Sequence, residues 1–111
     1  MKFEIERDEE NIIIIRLAGE LIEGEILPLK KEFEKLLAEN LTKFIIDFSA
    51  LNFIDSSGIG FLINLKKIIS AKDGTLKFTM VNQNIKSILN TLKLTPFFDM
   101  YKSIDEAIFS F

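Results

Sequence analysis

Two runs, IIIIRL at Ile12–Leu17 and KFIIDF at Lys43–Phe48, are short, isoleucine-rich and almost wholly apolar. A strand with one face in water would alternate apolar and polar residues. Runs without that alternation suit strands covered on both faces, as in the interior of a parallel sheet. Parallel neighbours need long crossovers, and a helical segment follows each run. From Glu25 onward, Ile26, Leu29, Phe33, Leu36 and Leu37 fall on one helical stripe, with Lys30, Lys31, Glu34 and Lys35 toward water. Pro28 suits the first turn of that helix, and Asn40 its end. Between Ile59 and Ile69 a second helix is apolar around most of its circumference. Leu62, Leu65 and Ile69 form its main stripe, which Phe61, Ile63 and Ile68 widen, so it must be substantially buried.

Shorter elements complete the order. Phe3 and Ile5 alternate with charges and predict a strand before the first run, with Asp8–Asn11 as the turn; Ala18–Gly24 reads as a break. Lys72-Asp73-Gly74 predicts a turn, and Thr75–Val81 alternates with Leu76, Phe78 and Met80 on one face. Asn82 is placed to cap a short helix carrying Ile85, Ile88, Leu89 and Leu92. Beyond Pro96, Ser103 and Glu106 have capping-box spacing for a last helix through Ala107, Ile108 and Phe109. Strands alternating with helices over 111 residues predict an α/β fold. The expectation is a single small domain, residues 1–111, with a mostly parallel central sheet packed with α-helices.

Charge and composition narrow the function. The formal net charge is −3, from 14 Lys and Arg against 17 Asp and Glu, and no basic stripe is present. A phosphate-backbone binder needs such a surplus, so direct nucleic-acid binding is not expected. The chain has no cysteine, which excludes disulfides and thiolate chemistry. The opening MKFEIERDEEN lacks the apolar core of a signal peptide, and no stretch approaches the roughly 18 apolar residues of a membrane span. These features predict a soluble, cytoplasmic domain without a membrane span.

The segment FIDSSGIGFL, Phe53–Leu62, sets two serines and two glycines at the head of the apolar helix. A nucleophilic serine needs a base, and the chain has no histidine. Neither serine starts an S-x-x-K pair, and no G-x-S-x-G elbow occurs. Gly58-Ile59-Gly60 lacks the third glycine of a dinucleotide fingerprint and the Gly-Lys-Ser/Thr of a P-loop. Carboxylates are scattered rather than clustered for a metal. No catalytic residue, cofactor or metal site is therefore expected. Helix capping by Ser56 or Ser57 is a sufficient reason for one serine, at about 1 kcal/mol. It leaves the second serine and both glycines unexplained, since each glycine weakens a helix by about 1 kcal/mol relative to alanine. Glycines there make sense where something approaches the backbone closely. On these residues alone, capping and a functional role both stay open.

The wider pattern resembles the anti-sigma factor antagonist family, built on the STAS domain. That family carries a strand ending apolar-Asp-apolar-Ser, a short apolar connection, then Asp-Ser-Ser-Gly and a helix. Here the same order stands as Ile45-Ile46-Asp47-Phe48-Ser49, Ala50–Ile54 and Asp55-Ser56-Ser57-Gly58-Ile59-Gly60, and Leu17-Ala18-Gly19-Glu20-Leu21 is similar to the family's second-strand exit. The resemblance implies that Ser57, immediately before the glycine, is a phosphoacceptor. It also implies a partner-binding surface at Asp55, Ser56, Gly58, Ile59 and Gly60, with Glu23. The partners it implies are an anti-sigma factor that is also a serine protein kinase using ATP and magnesium, and a separate serine phosphatase. Binding of the unmodified antagonist would free a sigma factor, and phosphorylation would end that binding. Family members often carry Asp directly after the Gly-x-Leu exit, where this chain has Ile22 and then Glu23. A second reading keeps the domain and drops the switch: a STAS scaffold or regulatory subunit in a larger transport or signalling complex.

Overall fold

A computed structural model describes all residues, 1–111. The strands are β1 (Lys2–Arg7), β2 (Ile12–Leu21), β3 (Lys43–Ile54), β4 (Thr75–Thr79) and β5 (Met100–Tyr101). The helices are α1 (Ile26–Ala38), α2 (Ser56–Ala71), α3 (Gln83–Thr91) and α4 (Ile104–Phe109). All five strands form one sheet in sequence order. β1 pairs antiparallel with β2, and every other neighbouring pair is parallel, as expected for an α/β domain of this kind.

Successive parallel strands add in one direction, and right-handed crossovers then place α1 and α2 on the same face. The main core lies there: Ile13, Ile15 and Leu17 of β2 and Phe44, Ile46 and Phe48 of β3 pack against Leu29, Phe33, Leu62, Leu65 and Ile69 from the two helices. The opposite face carries Ile12, Ile14 and Ile45, covered by Ala107 of α4. Both faces of the two isoleucine runs are thus buried, which explains why they do not alternate. Asn82 and Ser103 cap their helices as expected, accepting from the N–H groups of Ile85 and Glu106.

Four boundaries differ from the sequence reading. β2 does not break at Ala18 but continues through Leu21, and β3 runs past Phe48 to Ile54. The two strands stay paired there through register shifts at Arg16/Ala18 and Gly19/Glu20, beyond the last pairing of β3 with β4. α2 begins at Ser56, three residues before Ile59, so both serines belong to the helix. Met80 does not share a face with Leu76 and Phe78: β4 ends at Thr79, and Met80 takes a φ of 55° and lies exposed. No helix is long and apolar enough to cross a membrane.

Candidate functional site at the head of α2

The extended ends of β2 and β3 carry the chain to the same edge of the sheet, where two turns meet. One is the 3-10 turn Glu23–Glu25 after β2, and the other is the entry into α2 after β3. Asp55 joins them. One carboxylate oxygen accepts from the Gly58 N–H at 2.8 Å, and the other from the Glu23 N–H at 3.2 Å. Its own N–H donates to the Leu21 carbonyl at 3.2 Å. The helix cap is therefore Asp55, not Ser56 or Ser57 as the serine-capping reading expected. That leaves both hydroxyls out of the fold's side-chain hydrogen bonds.

The two glycines do different jobs. A Cβ on Gly58 would overlap the Leu21 carbonyl oxygen and lie 2.8 Å from the Ile54 side chain, so a bare Cα is what lets α2 seat against β2 and β3. A Cβ on Gly60 would meet nothing within 4 Å. Gly60 lies one turn beyond Ser57 and opens onto a groove of about 330 Å³ between α1 and α2.

Of the predicted site residues, the structure brings Asp55, Ser56, Ser57, Gly60 and Glu23 to one accessible edge. Ser56, Gly60 and Glu23 are exposed there, while Asp55 and Ser57 are half-buried. Gly58 and Ile59 turn inward instead; Ile59 is only 5% exposed. Both are buried and seat the helix from beneath, so any contact they make with a partner is not through an exposed side chain. Sequence reasoning missed Leu27 and Phe53, which stand 58% and 46% exposed in the first turn of α1 and near the end of β3. Their signal was an apolar side chain in a segment read as connection or helix start.

The first half of the motif is local architecture. Asp47, buried to 4% exposure, accepts from the Ser49 N–H at 2.9 Å and from the Ser49 hydroxyl at 3.1 Å. These bonds hold the point where β3 leaves β4 and bends toward the site. No three His, Cys, Asp or Glu side chains converge anywhere in a way that could hold a metal ion.

The family model of the STAS domain matches residues 3–107. The chain belongs to that family. An anti-sigma F factor antagonist of Paenibacillus polymyxa is 26% identical over 104 residues, covering 89% of each chain. Among solved structures, the anti-sigma factor antagonist SpoIIAA in its unphosphorylated form superposes with a TM-score of 0.78 at 20% identity, over 98% of this chain and 96% of that one. An anti-sigma factor antagonist from Mycobacterium paratuberculosis superposes with a TM-score of 0.84 at 18% identity, over 98% and 92% of the two chains.

Proposed function

We propose that the chain is an anti-sigma factor antagonist that acts by binding, without catalysis of its own, and is switched by phosphorylation of Ser57. In its unmodified form it binds a cytoplasmic anti-sigma factor that is also a serine kinase using ATP and magnesium, and so releases a sigma factor. Phosphorylation ends the binding, and a serine phosphatase restores it. Exposed Ser56, Gly60 and Glu23 make the contact surface with Ser57, and Asp55 holds that surface in shape.

The observation that carries this reading is the division of labour at the helix start. Asp55 supplies the cap that either serine could have supplied, so the Ser57 hydroxyl has no structural duty. A phosphate there would bring about −1.5 to −2 charges to the second residue of α2, where the helix dipole and first-turn N–H groups tolerate an anion. The fold would survive the change. An interface packed against the site would not, because burying an uncompensated ion costs several kcal/mol, and about 3 kcal/mol is already more than a hundredfold in affinity.

The test begins with capture of partners on the unmodified chain and continues with the purified kinase so obtained and Mg-ATP. Site-localised mass spectrometry is expected to place phosphate on Ser57 and little on Ser56, and Ser57→Ala to abolish the reaction while keeping the partner bound. Phosphate mainly on Ser56 or elsewhere would overturn the assignment.

A further inference from the structure

We propose that Lys30 of α1 is the intramolecular counter-ion of the phosphate on Ser57, so that modification ties the heads of α1 and α2 together across their groove. The inference rests on the reading that Ser57 is the modified residue, and it names what the modified site does within the chain itself.

α1 and α2 run side by side down one face of the sheet, and the groove between them is floored by Ile26, Phe33 and Leu65. Ser57 stands at its upper end, and Lys30, one turn below Ile26, lines the same groove. Gly60, one turn beyond Ser57 on α2, lines the groove as well, and the space around it is open, so it puts no side chain into the groove. This gives the second glycine a reason that helix packing does not.

The charges around the groove leave Lys30 available. It is the only cationic residue lining it, and its ammonium is in none of the chain's three ion pairs. Glu34, one turn further along α1, lines the groove without pairing to it. Asp55 is committed to two backbone N–H groups, Glu25 pairs with the amino group of Met1 at 2.9 Å, and Glu23, outside the groove lining, is exposed. A phosphate dianion on Ser57 is thus drawn away from the Asp55 and Glu23 side and toward Lys30, whose flexible stem carries a point charge with three donors. The pair so formed occupies the mouth of the groove and shields its apolar floor, and this changes the shape of the surface as well as its charge.

The experiment needs neither kinase nor partner. Phosphoserine is installed at position 57 during translation, and its second ionisation, near a pKa of about 6, is followed by phosphorus NMR at low salt. A nearby cation favours the dianion and lowers that pKa, so removing it must raise the midpoint. Lys30→Gln is expected to raise it by about half a unit or more, and Lys30→Arg to keep it where it was. Lys31→Gln, which removes the same charge from the neighbouring exposed position, is expected to leave it unchanged, and high salt to shrink the Lys30 effect. Equal midpoints in all four proteins, or equal shifts for Lys30→Gln and Lys31→Gln, would overturn the pairing whatever the kinase does. A kinase that ignores Ser57 would instead overturn the functional reading, whatever the titration shows.

Discussion

The Cα of Gly58 sits so close to the carbonyl oxygen of Leu21 that a side chain at position 58 cannot be accommodated without moving the backbone of β2 or α2. Alanine is the better helix former by about 1 kcal/mol, but overpacking costs typically about 1–3 kcal/mol and more when the neighbour is backbone. Gly58→Ala should therefore destabilise the fold, by about 1–2 kcal/mol net. At Gly60 the same substitution meets open space and keeps only the propensity gain, so Gly60→Ala should stabilise by about 1 kcal/mol. Denaturant melts of the two variants check the opposite signs.

Much of this was legible in the sequence, for local reasons. The isoleucine runs marked the two central strands because both of their faces are covered, and Asn82 and Ser103 marked helix starts because capping is set by a few neighbouring atoms. The strand ends were not legible. Ala18, Gly19 and Glu20, like Ser49, Ala50 and Asn52, have loop-like composition, yet β2 and β3 continue as a pair past the rest of the sheet. Only a cross-strand partner specifies such a strand, and Gly19, at a φ of 103°, marks one of its irregularities. Buried Lys77 was hidden for a similar reason. Its amino group lies 4.7 Å and 4.3 Å from the ring centres of Tyr101 and Phe111, residues that only the docking of the C-terminal segment brings over β4. At the head of α2, Asp55 was passed over as the cap because Ser is an equally good one.

Asp55 links two turns through one carboxylate, so its loss should be felt in both. Asp55→Ala is expected to cost about 1–2 kcal/mol as a lost cap, and to speed hydrogen exchange at the amides of Gly58 and Glu23 together. Asp55→Asn retains an acceptor for the cap and should cost less. Faster exchange at Gly58 alone would show that the Glu23 bond contributes nothing to holding the turn.

The helix below the site is anchored on one side only. Leu62 and Leu65 are 1% and 3% exposed, and truncating either to alanine should cost about 2–5 kcal/mol. Ile68, 40% exposed, should cost well under that, about 1 kcal/mol or less. A melt in which all three variants lose the same stability would contradict the one-sided packing that leaves the groove open.

The central claim is that charge at position 57 controls binding and not folding. Ser57→Asp puts a carboxylate at the start of α2, where the dipole favours it by about 0.3–1 kcal/mol at best and Asp55 offsets part of the gain. The melting curve should move little. In the complex the same carboxylate must lose its water against a surface that accommodates a small hydroxyl, which should weaken binding tenfold or more, about 1.4 kcal/mol per decade. The decisive measurement is the affinity of Ser57→Asp for the captured anti-sigma factor, set beside that of the unsubstituted chain, with a melt recorded on the same preparation. The account predicts a nearly unchanged melt and an affinity at least about tenfold weaker; an unchanged affinity, or a loss accompanied by a collapsed fold, would contradict it.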